Sequence, residues 1–269
     1  MRLNITHRTV YRYEGAPIYS AQILRLTPRT NLSQHVLRWK IDAPGGLSAW
    51  NDAFGNVCHT HVVEDPPEQL AITAYGEVVT TEVSGVLPAE VGDLPTQVFL
   101  RQTARTRPSA EMTEFAEGFA ARIEADRLDG LHELMAALHE KIDFDTERTT
   151  VDSTAAEAFE AGSGVCQDQA HIFAGVARAL GVPARYVSGY LYDPELGNVS
   201  AAGHAWAAAW VRNLGWVSFD PVHCRSATDA YVSLAVGLDY DSASPVRGMR
   251  TGGHGDEGLE VSVSVNAQQ

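Results

Sequence analysis

Cysteine and positive charge are both scarce in this sequence. Its 269 residues include three cysteines, Cys58, Cys166 and Cys224, without Cys-x-x-Cys spacing. An odd, sparse set argues against a disulfide framework and favours a reducing compartment, so we expect a cytoplasmic protein. The chain has 20 Lys and Arg against 34 Asp and Glu, a formal net charge of -14. Nucleic-acid and anionic-membrane surfaces need clustered positive charge, so we expect neither as a partner.

Long hydrophobic runs are also missing. No segment has the length that spans a bilayer, and the first residues alternate at once, without an apolar stretch of signal-peptide length. Hydrophobic residues still make up 45% of the chain, enough for the core of one large domain or two ordinary ones. The composition therefore predicts a globular protein.

The first third of the sequence is typical of β structure. Alternating β-branched or aromatic and polar residues predict strands at 3–11, 21–27, 36–41, 57–63 and 70–82. Several short strands without helices between them indicate an antiparallel β-sandwich. The run Cys58-His59-Thr60-His61 is better explained by strand alternation than by a metal site. A strand sends neighbouring side chains to opposite faces, and no second ligand pair is near.

The pattern changes after a Pro- and Gly-containing segment at 87–95, which is typical of a linker. Helical periodicity predicts helices at 109–125, from Asp129 to 142, at 153–159 and from Cys166 to 180. Strands are expected at 184–192, 204–212, 216–220 and 259–265, with a loop at 239–258. We therefore expect an α+β protein with a β-sandwich domain at 1–88 and a second domain at 89–269, helices first and then an antiparallel sheet.

The stretch Gly162-Ser163-Gly164-Val165-Cys166 places one thiol at the mouth of a predicted helix. Unpaired N–H groups and the positive end of the helix dipole stabilise an anion there, and a thiolate is an anion. Glycines before the helix allow a sharp turn and close approach of a substrate. A lone cysteine is otherwise more often a small buried hydrophobe.

Two further residues favour a reactive thiol over a buried one. His204 begins one predicted strand and Asp220 ends the next, so a hairpin about Asn213-Leu214-Gly215 brings them together. Packing of the Cys166 helix on that sheet would complete a nucleophile, a base and a residue that orients the base. Taken singly, His204 could be a hydrogen-bonded core histidine and Asp220 a turn residue before Pro221.

Four motifs in order resemble the bacterial transglutaminase-like superfamily, namely Gly164-Val165-Cys166-Gln167-Asp168-Gln169-Ala170-His171, Gly181-Val182-Pro183-Ala184-Arg185-Tyr186-Val187-Ser188-Gly189-Tyr190, Gly203-His204-Ala205-Trp206 and Gly215-Trp216-Val217-Ser218-Phe219-Asp220-Pro221. The resemblance implies a papain-like cysteine core preceded by an accessory β domain. It implies Cys166 as nucleophile, His204 as general base and Asp220 as the orienting residue. It also implies acyl transfer through a thioester, with no metal and no organic cofactor. The chain departs from the family's frequent Asp-Pro-Thr ending at Pro221-Val222-His223.

Several neighbouring residues have weaker assignments. The backbone N–H of Cys166 is expected to donate to the oxyanion, and Gln167 and Tyr190 are weak candidates for a second donor. His171 lies on the far side of the helix from Cys166, which favours a structural role. A redox or ligand role for Cys224 is disfavoured, and Tyr231 and Tyr240 could line the cleft.

Three functions fit these residues. A cysteine hydrolase acting on a peptide or related amide is favoured, and a protein-glutamine transglutaminase that transfers the acyl group to an amine uses the same triad. The third is a catalytically silent module that binds a peptide or partner, which an intact Cys166, His204 and Asp220 set argues against. The N-terminal sandwich could recognise substrate or only cover the helices. Substrate identity and oligomeric state are not assigned.

The activated-thiol hypothesis predicts selective alkylation. At pH 6, Cys166 should react far faster than Cys58 and lose this advantage in a His204→Ala variant, because the base is gone. Mass spectrometry after brief iodoacetamide treatment measures both sites. Equal labelling of all cysteines would contradict the hypothesis.

Overall fold

A computed structural model describes residues 1–15, 17–87, 94–194, 199–200, 203–253 and 257–268. Six α-helices lie in these ranges: α1 (Ala110–Glu117), α2 (Ala120–Ala125), α3 (Arg127–Lys141), α4 (Ala155–Ala161), α5 (Cys166–Ala179) and α6 (Tyr240–Ala243). The strands are β1 (Arg2–Tyr13), β2 (Tyr19–Thr27), β3 (Gln34–Asp42), β4 (Gly46–Asn51), β5 (Val57–Glu64), β6 (Gln69–Thr80), β7 (Val86–Leu87), β8 (Asp143–Phe144), β9 (Ser163–Gly164), β10 (Ala184–Leu191), β11 (Val199–Ser200), β12 (His204–Val211), β13 (Gly215–Phe219), β14 (Tyr231–Gly237), β15 (Val246–Thr251) and β16 (Glu257–Ala267).

Two antiparallel sheets form the expected N-terminal sandwich. One has the order β11-β16-β1-β6-β3 and the other β15-β2-β5-β4. Along β1 the odd-numbered residues are buried, because alternate side chains of a strand point to the same face. Four of them, Leu3, Ile5, Tyr11 and Tyr13, share a core with apolar residues of β2 and β6. The fully or almost fully buried members of this core include Leu3, Ile5, Leu24, Leu26, Leu70 and Ile72.

The C-terminal segment belongs structurally to this sandwich. The predicted closing strand is confirmed as β16, which pairs antiparallel with β1 from Leu3↔Ala267 to Tyr13↔Glu257. The prediction of a loop at 239–258 is wrong over most of its length, since this range contains α6 and β15. Asp239 caps α6 by accepting from the N–H of Ser242, and β15 pairs with β2. A Ser- and Gly-rich segment can form a strand when the edge of a sheet supplies its hydrogen-bond partners.

The second layer is a sheet of order β14-β10-β12-β13-β7, with helices on one face. Its core joins α1, α3, α4 and α5 to β12 and β13 through residues such as Leu134, Phe159, Phe173 and Phe219. Strand β14 was not predicted from the sequence. Strand β7 lies beside β13, so the chain enters this sheet before the expected boundary at 88; the division into 1–88 and 89–269 stays a prediction. The expected linker includes 88–93, which lie outside the described residues.

The helices between α1 and α5 agree with those predicted from the sequence, with two differences. The helix predicted at 109–125 is divided into α1 and α2 at Gly118, and the next helix is capped by Asp126 rather than Asp129. Thr154 caps α4, and the chain leaves α4 at Gly162 with φ 64°. Across the described ranges, no helix is long and apolar enough to cross a membrane.

Helix α5 is held at its far end by Gly175 and Arg178. A Cβ at Gly175 would clash with the backbone carbonyl oxygen of Thr106. Buried Arg178 donates to the carbonyl oxygens of Ala184 and Leu238 and to Thr106 Oγ1 at 2.6–3.0 Å. Burial lowers the pKa of Arg178 to about 10, which leaves it charged at neutral pH. These contacts fix the position of α5, and with it Cys166.

This close approach predicts a reversal of the usual glycine effect. Gly→Ala within a helix normally stabilises by about 1 kcal/mol. We expect Gly175→Ala to destabilise by about 1–3 kcal/mol, because the added methyl forces α5 away from Thr106. Urea unfolding followed by circular dichroism measures the change. Gly46→Ala is the control, since a Cβ there has no atom within 4 Å; a Gly175→Ala variant as stable as wild type would contradict the packing argument.

Candidate active site

Cys166 is the first residue of α5, directly after a turn that Asp168 holds in place. Asp168 Oδ2 accepts from the backbone N–H of Val165 at 2.9 Å and from Thr149 Oγ1 at 2.6 Å. A Cβ at Gly164 would lie 2.8 Å from the Asp168 side chain, so this position needs glycine. Burial raises the pKa of Asp168, and both hydrogen bonds act in the opposite direction. The turn places the Cys166 sulfur at the positive end of the α5 dipole.

His204 and Asp220 meet where the β12–β13 hairpin opens. The strands pair from Val211↔Gly215 to Ala207↔Phe219. Asn213 (φ 71°) and Gly215 (φ 108°) adopt the left-handed conformations that such a tight connection needs. His204 Nε2 donates to Asp220 Oδ2 at 2.7 Å. The predicted hairpin thus brings together the base and the residue expected to orient it.

The Asp220 carboxylate is completely buried and accepts from several donors. Besides His204, His223 Nδ1 at 2.8 Å and the Tyr231 hydroxyl at 2.7 Å donate to Oδ2. Oδ1 accepts from the backbone N–H of Val222 at 3.1 Å and of His223 at 3.4 Å. Burial by itself would raise the pKa of Asp220, but the hydrogen bonds from both histidines lower it well below the usual range. Asp220 therefore remains a carboxylate.

His204 contacts both partners expected of a triad base. Burial would lower its pKa, but the hydrogen bond to Asp220 and the interaction with the Cys166 thiol raise it to about 10. Since Nε2 is bonded to Asp220, Nδ1 is the nitrogen left for Cys166. An imidazole with this pKa can keep a proton taken from the thiol at neutral pH. The arrangement can therefore generate a nucleophilic sulfur and later return the proton.

Three residues of this site were missed or left without a role by the sequence. His223 was noted only as a departure from the family motif, although a histidine three residues after Asp220 in a Pro-containing turn is a signal for contact with that carboxylate. Asp168 is an acidic residue at the third position of a predicted helix, where its carboxylate can accept from the backbone N–H of the residue before the helix, and this is also a readable signal. Tyr231 has no such signal in the sequence. It lies on β14, and in the sheet β10 and β12 separate β14 from β13, the strand that Asp220 follows.

The weaker candidates have other partners. Gln167 Nε2 donates to the carbonyl oxygen of Val151 at 3.0 Å, and the Tyr190 hydroxyl is bonded to His7 Nδ1 at 3.1 Å. Neither amide nor hydroxyl is therefore held as an oxyanion donor in this state. His171 is fully buried and its Nε2 accepts from the backbone N–H of Tyr240 at 2.9 Å, as expected of a structural residue. Burial lowers the pKa of His171 to about 3, so it is neutral.

The three cysteines are all free and differ in exposure. Cys58 is completely buried, and burial together with nearby Asp52 raises its pKa to about 11. Cys224 is exposed beside His223. Cys58 would react slowly for lack of access alone, so Cys224 is the more informative comparison in alkylation experiments.

Of the expected cleft residues, Tyr240 lines the cavity that contains Cys166 and His204, whereas Tyr231 lies beneath Asp220 and lines a separate small cavity. Among the described residues, His204, Asp220 and His223 form one set with metal-ligand spacing, their ligand atoms within 4.8 Å of one another. A cation there would have to replace the hydrogen bonds that these three residues make to one another.

Comparison with known proteins gives a consistent family assignment. A profile of the transglutaminase-like superfamily matches residues 113–221, and one of the bacterial transglutaminase-like N-terminal region matches 3–79. An uncharacterised protein of Mycobacterium leprae is 30% identical over 282 residues, covering 98% of each chain. A protein-glutamine gamma-glutamyltransferase of Pseudomonas aeruginosa is 33% identical over 124 residues, 38% of this chain and 18% of that protein. The crystal structure of a candidate cysteine protease from Cytophaga hutchinsonii superposes with a TM-score of 0.76 at 19% identity, covering 100% of this chain and 92% of that one.

The His204–Asp220 pair predicts a pH-dependent contribution to stability. The folded-state pKa of His204, about 10, lies above the ordinary value of 6.5. Its stabilising contribution is therefore complete below pH 6.5 and is lost as the pH rises through about 10. We expect wild type to exceed His204→Gln in unfolding free energy most at pH 6 and least at pH 10.5, because Gln does not titrate. Urea unfolding at pH 6, 8 and 10.5 measures this difference, and a constant value would contradict the raised pKa.

Proposed function

Because the chain belongs to the transglutaminase-like superfamily, we propose that it is a cysteine-dependent acyl-transfer enzyme acting on a peptide or protein amide. Cys166 is the nucleophile, His204 the general base and Asp220 the residue that orients His204. The observation that carries the proposal is the 2.7 Å bond from His204 Nε2 to buried Asp220, made by an imidazole that also contacts Cys166 at the start of α5. A location in the cytoplasm remains part of the proposal.

The proposed reaction has two steps. His204 takes the Cys166 proton as the sulfur attacks the amide carbonyl, and the carbonyl oxygen becomes an oxyanion near the backbone N–H groups at the start of α5. The C–N bond then breaks, the amine leaves with the proton from His204, and a thioester remains on Cys166. In the second step His204 takes a proton from water or from an amine, which attacks the thioester and frees Cys166.

Hydrolysis is the favoured second step, and amine transfer is the second candidate. The sequence similarity to a protein-glutamine gamma-glutamyltransferase supports amine transfer, but it spans 38% of this chain. Cys166 and His204 both line an open cavity, which supports access of water to the thioester. The triad serves either acceptor, so the choice depends on which one attacks the thioester carbonyl carbon faster and displaces the Cys166 sulfur.

Incubation of the protein with a peptide mixture and a labelled primary amine distinguishes these reactions. We expect cleavage or deamidation that disappears in Cys166→Ala, because the thioester cannot form. Loss of rate should be about 10³-fold or more, the scale seen when a triad nucleophile is removed. Peptides are followed by mass spectrometry.

The matched control is Cys224→Ala, which removes an exposed thiol next to His223 and should keep full activity. Amine incorporation that depends on Cys166 would assign a transglutaminase instead of a hydrolase. Equal product with wild type and Cys166→Ala, together with slow alkylation of Cys166, would contradict the enzyme proposal and favour a silent binding module.

A further inference from the structure

A large cavity opens from Cys166 and His204 toward the N-terminal sandwich. Its volume is about 700 Å³. Ligand pockets in proteins measure roughly 300–1,000 Å³. The cavity is lined on one side by the reacting residues and on the other by strands β1 and β16. The sandwich therefore supplies a wall of the candidate active site, and the side chains of that wall affect which substrates fit the cavity.

The wall contributed by the sandwich is a row of cross-strand pairs. In the antiparallel register of β1 and β16, the residues directly opposite each other are His7↔Val263, Thr9↔Val261 and Tyr11↔Leu259. All six line the cavity, and all are odd-numbered, so they share one face of the two strands. The row runs from buried Val263 to half-buried Val261 and exposed Leu259. It forms a mainly apolar track leading from the interior to the cavity mouth.

Away from Cys166 and His204, the described residues that line the cavity carry little charge. None of the described residues that line it is Lys or Arg, and Asp193 is the single acidic residue among them. His7 is neutral, because burial lowers its pKa to about 4. Its ring nitrogens are bonded to the Tyr190 hydroxyl at 3.1 Å and to Thr9 Oγ1 at 3.2 Å. His7 is thus a fixed neutral part of the wall. Along the β1–β16 side, away from His204, a carboxylate or phosphate would lose its hydration without gaining a cationic side chain among the described lining residues.

We propose that this cavity is the acyl pocket of the enzyme and takes an uncharged, apolar or aromatic acyl group, with the β1–β16 face of the sandwich selecting it. The inference rests on the proposed thioester at Cys166, since the acyl group bonded to that sulfur is the part of the substrate that stays in the cavity. The N-terminal domain is then a specificity element as well as a scaffold.

The proposal is tested with p-nitrophenyl esters that share one leaving group: acetate, hexanoate and the mono-ester of glutarate. The Cys166 sulfur forms the thioester, the ester C–O bond breaks and p-nitrophenolate leaves; water then releases the acid. We expect kcat/KM for hexanoate to exceed that for acetate and for the anionic glutarate ester by about tenfold or more. Cys166→Ala gives the background hydrolysis.

Substitutions in the wall test where the acyl group lies. Val261→Trp should lower kcat/KM for hexanoate about tenfold and for acetate less than about twofold, because the indole fills the track but not the space at Cys166. Val261→Ala should raise kcat/KM for the longer p-nitrophenyl octanoate relative to that for hexanoate. The matched control is Ser262→Trp, on the opposite face of β16, which should leave the hexanoate-to-acetate ratio unchanged.

The outcomes separate this inference from the proposed function. Acylation of Cys166 with no dependence on acyl length, or a length dependence that Val261→Trp and Val261→Ala leave unchanged, would overturn the acyl pocket while the thioester chemistry stands. Faster reaction of the glutarate ester would also overturn it. If no ester acylates Cys166 above the Cys166→Ala background, the proposed function fails and the acyl pocket fails with it.

Discussion

The buried carboxylate of Asp220 is the constraint on which the half of the structure that holds the candidate active site depends. An ionised group removed from water costs several kcal/mol unless it is paired and hydrogen-bonded. Here two histidines, a tyrosine and two backbone N–H groups satisfy it. These donors come from β12, from the turn after β13 and from β14. Any shift of one of these elements would leave a buried charge partly unpaired, so the carboxylate fixes the geometry of His204.

Helix α5 supplies the complementary half of the site, and it is anchored at both ends. Near Cys166, Asp168 ties Thr149 to the preceding turn. At the other end, Arg178 donates to the carbonyl oxygens of Ala184, the first residue of β10, and of Leu238, which follows β14. Gly175 allows the helix to contact the backbone at Thr106. A nucleophile must be held within a fraction of an ångström of its base, which requires a rigid helix rather than a loop.

The C-terminal strand β16 pairs with the N-terminal strand β1, and both strands line the cavity of the candidate site. Strand β16 pairs with β1 along almost its full length, so the two ends of the chain form one surface beneath Cys166 and His204. The hydroxyl of Tyr190 on β10 is hydrogen-bonded to His7 on β1, which joins the sheet that carries His204 to that surface. The sandwich is therefore continuous with the candidate site.

The sequence by itself determined the elements and much of the site. Periodicity located most of the sandwich strands (β1, β2, β3, β5, β6 and β16), α4, α5 and the β12–β13 hairpin, because apolar spacing and turn residues act over a few positions. It placed Cys166 at a helix start and brought His204 to Asp220, since a hairpin is a local structure. It did not locate β14 or β15, whose partners are distant strands. It also did not locate β4, which pairs with the neighbouring β5. Tertiary structure alone decided that Tyr231 donates to Asp220 and that Val261 faces the cavity. Tyr231 and Asp220 are 11 residues apart in the chain, but β10 and β12 separate their strands in the sheet, and Val261 lies opposite Thr9 near the other end of the chain. Only packing and the hydrogen-bonding demands of buried groups bring such residues together.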